Sequence, residues 1–131
     1  MQNYASCRTS IGMALNDALM KGPIIQQDLV SILLRFRSFM YVFAADIIKM
    51  YRQILVHDED LHRQKIVWRE ISGSPLVTYE LRSVSYGTKT TPFFATACLR
   101  HLTQRYAGKY PVGSEHIRKN FYVDDVLTEA P

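Results

Sequence analysis

Cysteine is scarce in this chain. Cys7 and Cys98 stand far apart, and neither has a companion at metal-ligand spacing. A disulfide framework and a thiolate metal centre are thereby excluded as organising features, and reduced thiols in an intracellular protein are expected. Long apolar runs are missing as well. The longest, Phe39 to Ile48, is interrupted by Asp46 and is far too short to span a bilayer. No apolar stretch of the kind found in a secretory signal follows the basic Arg8 near the N-terminus. A soluble intracellular chain with no membrane partner is the expectation, with cytoplasm and nucleus both open. Internal repeats and low-complexity segments are also absent, which excludes solenoids and disordered tracts.

What is present fits one folded domain. At 131 residues there is room for one core but not two. An apolar fraction of 47% beside a charged fraction of 21% is ordinary for such a domain, so the chain can bury a core without help. The net charge of +4 leans towards an anionic partner, although mild basicity is common among soluble domains.

The pattern along the chain predicts helix, strand, hairpin, helix and strand pair. Up to Gly22-Pro23, which breaks the chain, the pattern is weak, with a loop and a short helical turn over Ser10–Asp17. Leu29, Ile32, Leu33 and Phe36 recur at helical spacing and predict a helix over 26–39, with Asp28 in its first turn. Arg35 and Arg37 near its end are expected on a solvated face, with contact to phosphate as the alternative. Met40 to Ile48 reads as a buried strand, and Lys49 to Val56 as a short helix after it. His57-Asp58-Glu59-Asp60 is expected to be a solvated helix start rather than a metal site. Alternating segments around Trp68 and over Thr78–Val84, split by Ser72-Gly73-Ser74-Pro75, predict a β-hairpin. Thr91 and Pro92 are expected as N-cap and first residue of a helix reaching Tyr106. Gly108 to Gly113 reads as a linker, and Ser114 to Lys119 as one short helix. The fold class is α+β, an antiparallel sheet backed by helices.

Chemistry concentrates in acids placed where acids are unfavourable. Asp46 interrupts an apolar strand, a costly position unless the carboxylate is paired or metal-bound, or instead caps the following turn. Asp124 and Asp125 form the bend of a second hairpin, Phe121-Tyr122-Val123-Asp124-Asp125-Val126-Leu127. Two adjacent carboxylates between apolar flanks either recruit a hard cation or form a solvated turn. If both sites share one sheet, they can hold two divalent ions about 3.5–4 Å apart, an arrangement suited to phosphoryl transfer.

The motifs have a further meaning taken together. Ala44-Ala45-Asp46-Ile47-Ile48-Lys49-Met50-Tyr51 resembles the first polymerase motif of reverse transcriptases, and Tyr122-Val123-Asp124-Asp125 resembles their aromatic-x-Asp-Asp box. Tyr86-Gly87 through Pro92 resembles the loop and helix that support the template. With Leu15-Asn16-Asp17-Ala18-Leu19, Gly22-Pro23, Gln26-Gln27-Asp28-Leu29 and Lys49-Met50-Tyr51-Arg52-Gln53-Ile54, nearly the whole chain is similar to the Pao/BEL class of LTR retrotransposon reverse transcriptases.

That resemblance implies a polymerase palm over 39–131 with partial fingers over 1–38. It implies two-metal transfer of a nucleotide from a dNTP to a primer 3′ end, with two Mg²⁺ or Mn²⁺ ions. Asp46 and Asp124 would be the principal ligands, with Asp125 in support. Tyr51 would be the aromatic gate against a 2′-hydroxyl, and otherwise a core aromatic. The amides around Ile47 and Lys49 would cradle the triphosphate, and Tyr86 and Gly87 would lie near the incoming base, where Tyr86 can stack. Their plain alternatives are a surface lysine and an ordinary turn. The implied partners are an RNA or DNA template-primer, dNTP and the remainder of a retroelement polyprotein. The family's upstream fingers strand, thumb and ribonuclease H would fall outside these residues, so self-sufficient synthesis is not expected. The C-terminal strand, Val126–Ala130, would then be an exposed sheet edge. The alternative function is a catalytically inactive, domesticated module that binds nucleic acid or protein.

Overall fold

In the computed structural model, which describes residues 5–130, Asp28 starts the first long helix. Its carboxylate accepts from the Ser31 amide at 3.0 Å and from the Ser31 hydroxyl at 3.2 Å, satisfying a donor that a helix start leaves open. The elements run α1 (Leu15–Ala18), α2 (Leu29–Ser38), β1 (Val42–Asp46), β2 (Lys65–Trp68), β3 (Val77–Glu80), α3 (Thr91–Tyr106), α4 (Pro111–Asn120), β4 (Phe121–Tyr122) and β5 (Asp125–Glu129). Two short 3₁₀ segments, Met50–Gln53 and Asp58–Arg63, lie between β1 and β2. The ends of the expected domain span, residues 1–4 and 131, lie outside the described residues.

The architecture is mixed α+β. One sheet has the order β1-β5-β4, all antiparallel, and the β2-β3 hairpin forms a second sheet. Two small sheets therefore replace the one expected. Helices α2 and α4 pack on β5 and β4, and α3 packs on α4. Ile32 of α2 and Thr128 of β5 are almost fully buried, as are Thr91 and Ala95 of α3.

The strand carrying Asp46 departs from expectation. It is an edge strand exposed along its whole length, with Val42 44% and Phe43 45% accessible. The helices cover the far strands of the sheet and leave β1 uncovered, so an apolar run did not mean burial. The Val126–Ala130 segment departs in the opposite sense. As far as Glu129 it lies in β5, the centre of the sheet, because β1 pairs along one side and β4 along the other.

Two boundaries also moved. Pro111 and Gly113, expected in a linker, belong to α4, which begins at Pro111. Proline at the first helical position loses nothing, since its missing amide would have had no partner there. The cap of α3 is Thr90 rather than Thr91, whose buried hydroxyl instead donates to the Ser85 carbonyl at 2.6 Å.

Arg35 is the largest correction in α2. Rather than facing solvent it is half-buried, donating to the Lys119 carbonyl at 2.7 Å, to Asn120 Oδ1 at 2.9 Å and to Gln27 Oε1 at 3.3 Å. Asn120 in turn donates to Thr128 Oγ1 at 2.7 Å. The guanidinium thus joins α2, the end of α4 and β5 in one polar network, and no buried side-chain polar atom is left without a partner among the described residues.

Candidate active site

Strand pairing sets the geometry of the acids. In the β1–β5 ladder Asp46 is the register partner of Asp125. The Ile47 amide donates to the Asp124 carbonyl at 2.9 Å, and the Ala130 amide to the Tyr41 carbonyl at 3.0 Å. Those bonds mark the hydrogen-bonded pairs, so Asp46 and Asp125 occupy a non-hydrogen-bonded pair. Opposite Cα atoms are about 4.5 Å apart there, and both side chains leave the same face. Like charges directly opposite one another are destabilising. Among the described residues, none of the three carboxylates of Asp46, Asp124 and Asp125 has a hydrogen bond or ion pair to relieve this.

Asp124 sits at the bend between β4 and β5, with Tyr122 and Asp125 paired across it. The loop has two residues. Val123 has φ +58°, and Asp124 does not share the positive φ, which corresponds to a type II′ turn. Glycine is the usual residue at that first position, and a β-branched side chain there costs on the order of 1–3 kcal/mol. The Val123 amide donates to Gln26 Oε1 at 3.1 Å, across most of the chain.

One aromatic ring, that of Tyr51, lies near Asp124, and a second packs against it. Tyr51, in the 3₁₀ turn after β1, meets Tyr86 edge-to-face with centroids 4.8 Å apart. Burial of the Tyr51 ring raises its phenol above the usual tyrosine value, and the nearby charge of Asp124, then Tyr86, push it the same way. Tyr51 is therefore electrostatically coupled to the hairpin bend.

The loop carrying Tyr86 and Gly87 is held from the N-terminal side. Asn16 donates through Nδ2 to the Gly87 carbonyl at 3.0 Å and accepts the Lys89 amide at 2.8 Å. Gly87 has φ +86°, a conformation that favours glycine. Gly22 makes a similar demand at φ +77°. A Cβ there would lie 2.5 Å from Cγ of Phe93, in the first turn of α3.

Of the residues expected to cradle phosphate, Ile47 has its amide committed to Asp124, so only the amides of Ile48 and Lys49 remain open for an anion. Lys49 is exposed in a left-handed conformation, with φ +52°. The cluster His57–Asp60 caps and opens the second 3₁₀ turn on the surface, with Asp60 paired to Arg63 at 3.3 Å.

Among the described residues no three or more His, Cys, Asp or Glu side chains are grouped so that they could hold a metal ion. No helix among them is long and apolar enough to cross a membrane. Gln26, Asn16 and Arg35 were not singled out as site residues by the sequence. Each acts through hydrogen bonds to residues distant in sequence, one for Gln26 and two each for Asn16 and Arg35, and such bonds leave no periodic trace. No family model, curated protein or solved structure matches the chain.

Proposed function

We propose that the chain is the palm region of an RNA-directed DNA polymerase of the LTR-retroelement kind, with Asp46, Asp124 and Asp125 at its reactive centre. One observation carries the proposal: the antiparallel pairing that puts Asp46 opposite Asp125 and Asp124 at the adjoining bend. The likeness of the motifs Ala44–Tyr51, Tyr86–Pro92 and Tyr122–Asp125 to reverse transcriptases supports the same reading.

Mg²⁺ or Mn²⁺ is the ion that this reading calls for. Hard divalent ions of this size take one or two carboxylates and complete their shell with water and substrate phosphate, so a closed protein cage is not required. Three carboxylates without cationic partners are a chemically suited donor set. Asp46 and Asp124 would hold the ions and Asp125 would support them. When bound, such ions activate a primer 3′-hydroxyl and neutralise charge on the triphosphate.

The remaining work falls to the chain. The β1–β5 ladder fixes the spacing of Asp46 and Asp125. The open amides of Ile48 and Lys49, with the Lys49 ammonium, offer donors to the phosphates of a dNTP. Tyr51, braced by Tyr86, presents a ring beside Asp124, where it would collide with a ribose 2′-hydroxyl and so discriminate by exclusion. Gly87 lets backbone approach the base pair closely. A template-primer and the rest of a retroelement polyprotein are the proposed partners.

The test is primer extension on an RNA template with Mg²⁺ or Mn²⁺, comparing the chain with Asp124→Asn. Extension abolished by the substitution supports the reading. Extension that survives it excludes the carboxylate mechanism, and salt-sensitive nucleic-acid binding with no extension points to an inactive binding module.

A further inference from the structure

Gln26 lies on none of the elements that bear the acids, yet its carboxamide holds the bend between them. Its Oε1 accepts the Val123 amide at 3.1 Å. In a two-residue hairpin the amide of the first loop residue points away from the ladder, so the turn itself supplies no acceptor for it. That residue is also the strained one, a valine at φ +58°. A conformation of this kind persists only when its surroundings over-determine it.

The neighbouring side chains explain why Gln26 is firmly placed. Gln27, the next residue, accepts from Arg35 at 3.3 Å, and Arg35 is bonded to the end of α4 immediately before β4. Segment 25–27 also walls a groove of about 400 Å³ whose other lining comes from α3, α4, Phe121 and Val123. The N-terminal segment is thus fastened on both sides of β4, at its entrance through Arg35 and at its exit through Gln26.

We infer that Gln26 is a positioning residue for the acidic bend, fixing the Val123 backbone and through it the relative placement of Asp124 and Asp125. This rests on the polymerase reading for the meaning of those acids. The hydrogen bond itself is independent of that reading. Gln26 need touch neither nucleotide nor metal, and acts only through the Val123 amide.

Three measurements on the full chain test it: Mn²⁺ affinity by calorimetry, hydrogen exchange at the Val123 amide, and melting of the metal-free chain. Gln26→Met keeps the length of the side chain and removes the acceptor. Gln26→Glu keeps the acceptor. The inference predicts that Gln26→Met speeds Val123 exchange and weakens Mn²⁺ binding about ten-fold, the effect of losing one hydrogen bond to a constrained group. It predicts that Gln26→Glu restores both, while Asp58→Asn changes neither. A Gln26→Met chain that melts like the wild type and binds Mn²⁺ equally well overturns the inference and leaves the polymerase reading standing. So does a Gln26→Glu chain whose exchange and affinity remain those of Gln26→Met. Wild-type binding that is indifferent to Asp124→Asn overturns both.

Discussion

Removing one carboxylate of the Asp46–Asp125 pair should make the metal-free chain more stable. The two side chains leave the same face from opposite positions of a non-hydrogen-bonded pair, with Cβ atoms about 4.5–5.5 Å apart. At 5 Å two unit charges repel by about 0.8 kcal/mol in water and about 3 kcal/mol at an effective dielectric of 20. Both aspartates are exposed, so screening keeps the effect near the lower figure, about 0.5–1 kcal/mol. Asp46→Asn should therefore raise the melting temperature by about 1–4 °C in a domain of this size. Divalent ions provide the second arm. Mg²⁺ or Mn²⁺ should stabilise the wild type by binding only the folded state, and should stabilise Asp46→Asn much less. Thermal melts at low ionic strength, with and without 5–10 times the ion's dissociation constant, read both effects. A variant that melts at or below the wild-type temperature, and gains as much from Mn²⁺, refutes the reasoning.

Three further outcomes follow from contacts around the acids. Burial and Asp124 both raise the Tyr51 phenol, so its neutral form is favoured by folding, and the stability this contributes is present below the usual tyrosine range and lost as pH rises through the raised value. Ultraviolet titration against Tyr51→Phe should show a late-ionising tyrosine, shifted down but not to the ordinary value by Asp124→Asn. Gly22→Ala sets a left-handed alanine against Phe93 and should cost about 1–3 kcal/mol, lowering the melting temperature by several degrees. Asn16→Ala should speed hydrogen exchange at Lys89, whereas Asn16→Asp, which keeps the acceptor, should leave that amide protected while freeing the Gly87 carbonyl.

Local patterns in the chain were legible where neighbours in sequence are neighbours in space. The alternation around Trp68 and over Thr78–Val84 indicated the β2–β3 hairpin, though β3 stops at Glu80, and the apolar stripe indicated α2, though it begins at Leu29 with Asp28 as its cap rather than in its first turn. The second hairpin was legible because its flanks are apolar and short, but its bend is Val123–Asp124, and Asp125, expected at the bend, is the first residue of β5. The exposure of β1 was not, since an apolar run reports on side chains and not on whether a layer covers them. The central place of β5 depends on β1, distant in sequence, pairing along it, and no local pattern carries that information. Arg35 shows the same limit. Its position on the helix suggested solvent, and only the arrival of α4 gives its guanidinium two acceptors beside the one that Gln27 offers.

Mn²⁺ is paramagnetic and broadens the amide resonances of residues close to it, so one titration of the chain locates where a divalent ion sits. Convergence of Asp46 with Asp124 and Asp125 predicts that residues 45–48 and 123–126 broaden together at the lowest Mn²⁺ additions, and that Asp124→Asn abolishes this. Broadening confined to the surface acids at 58–60, or spread evenly over the chain, would contradict it.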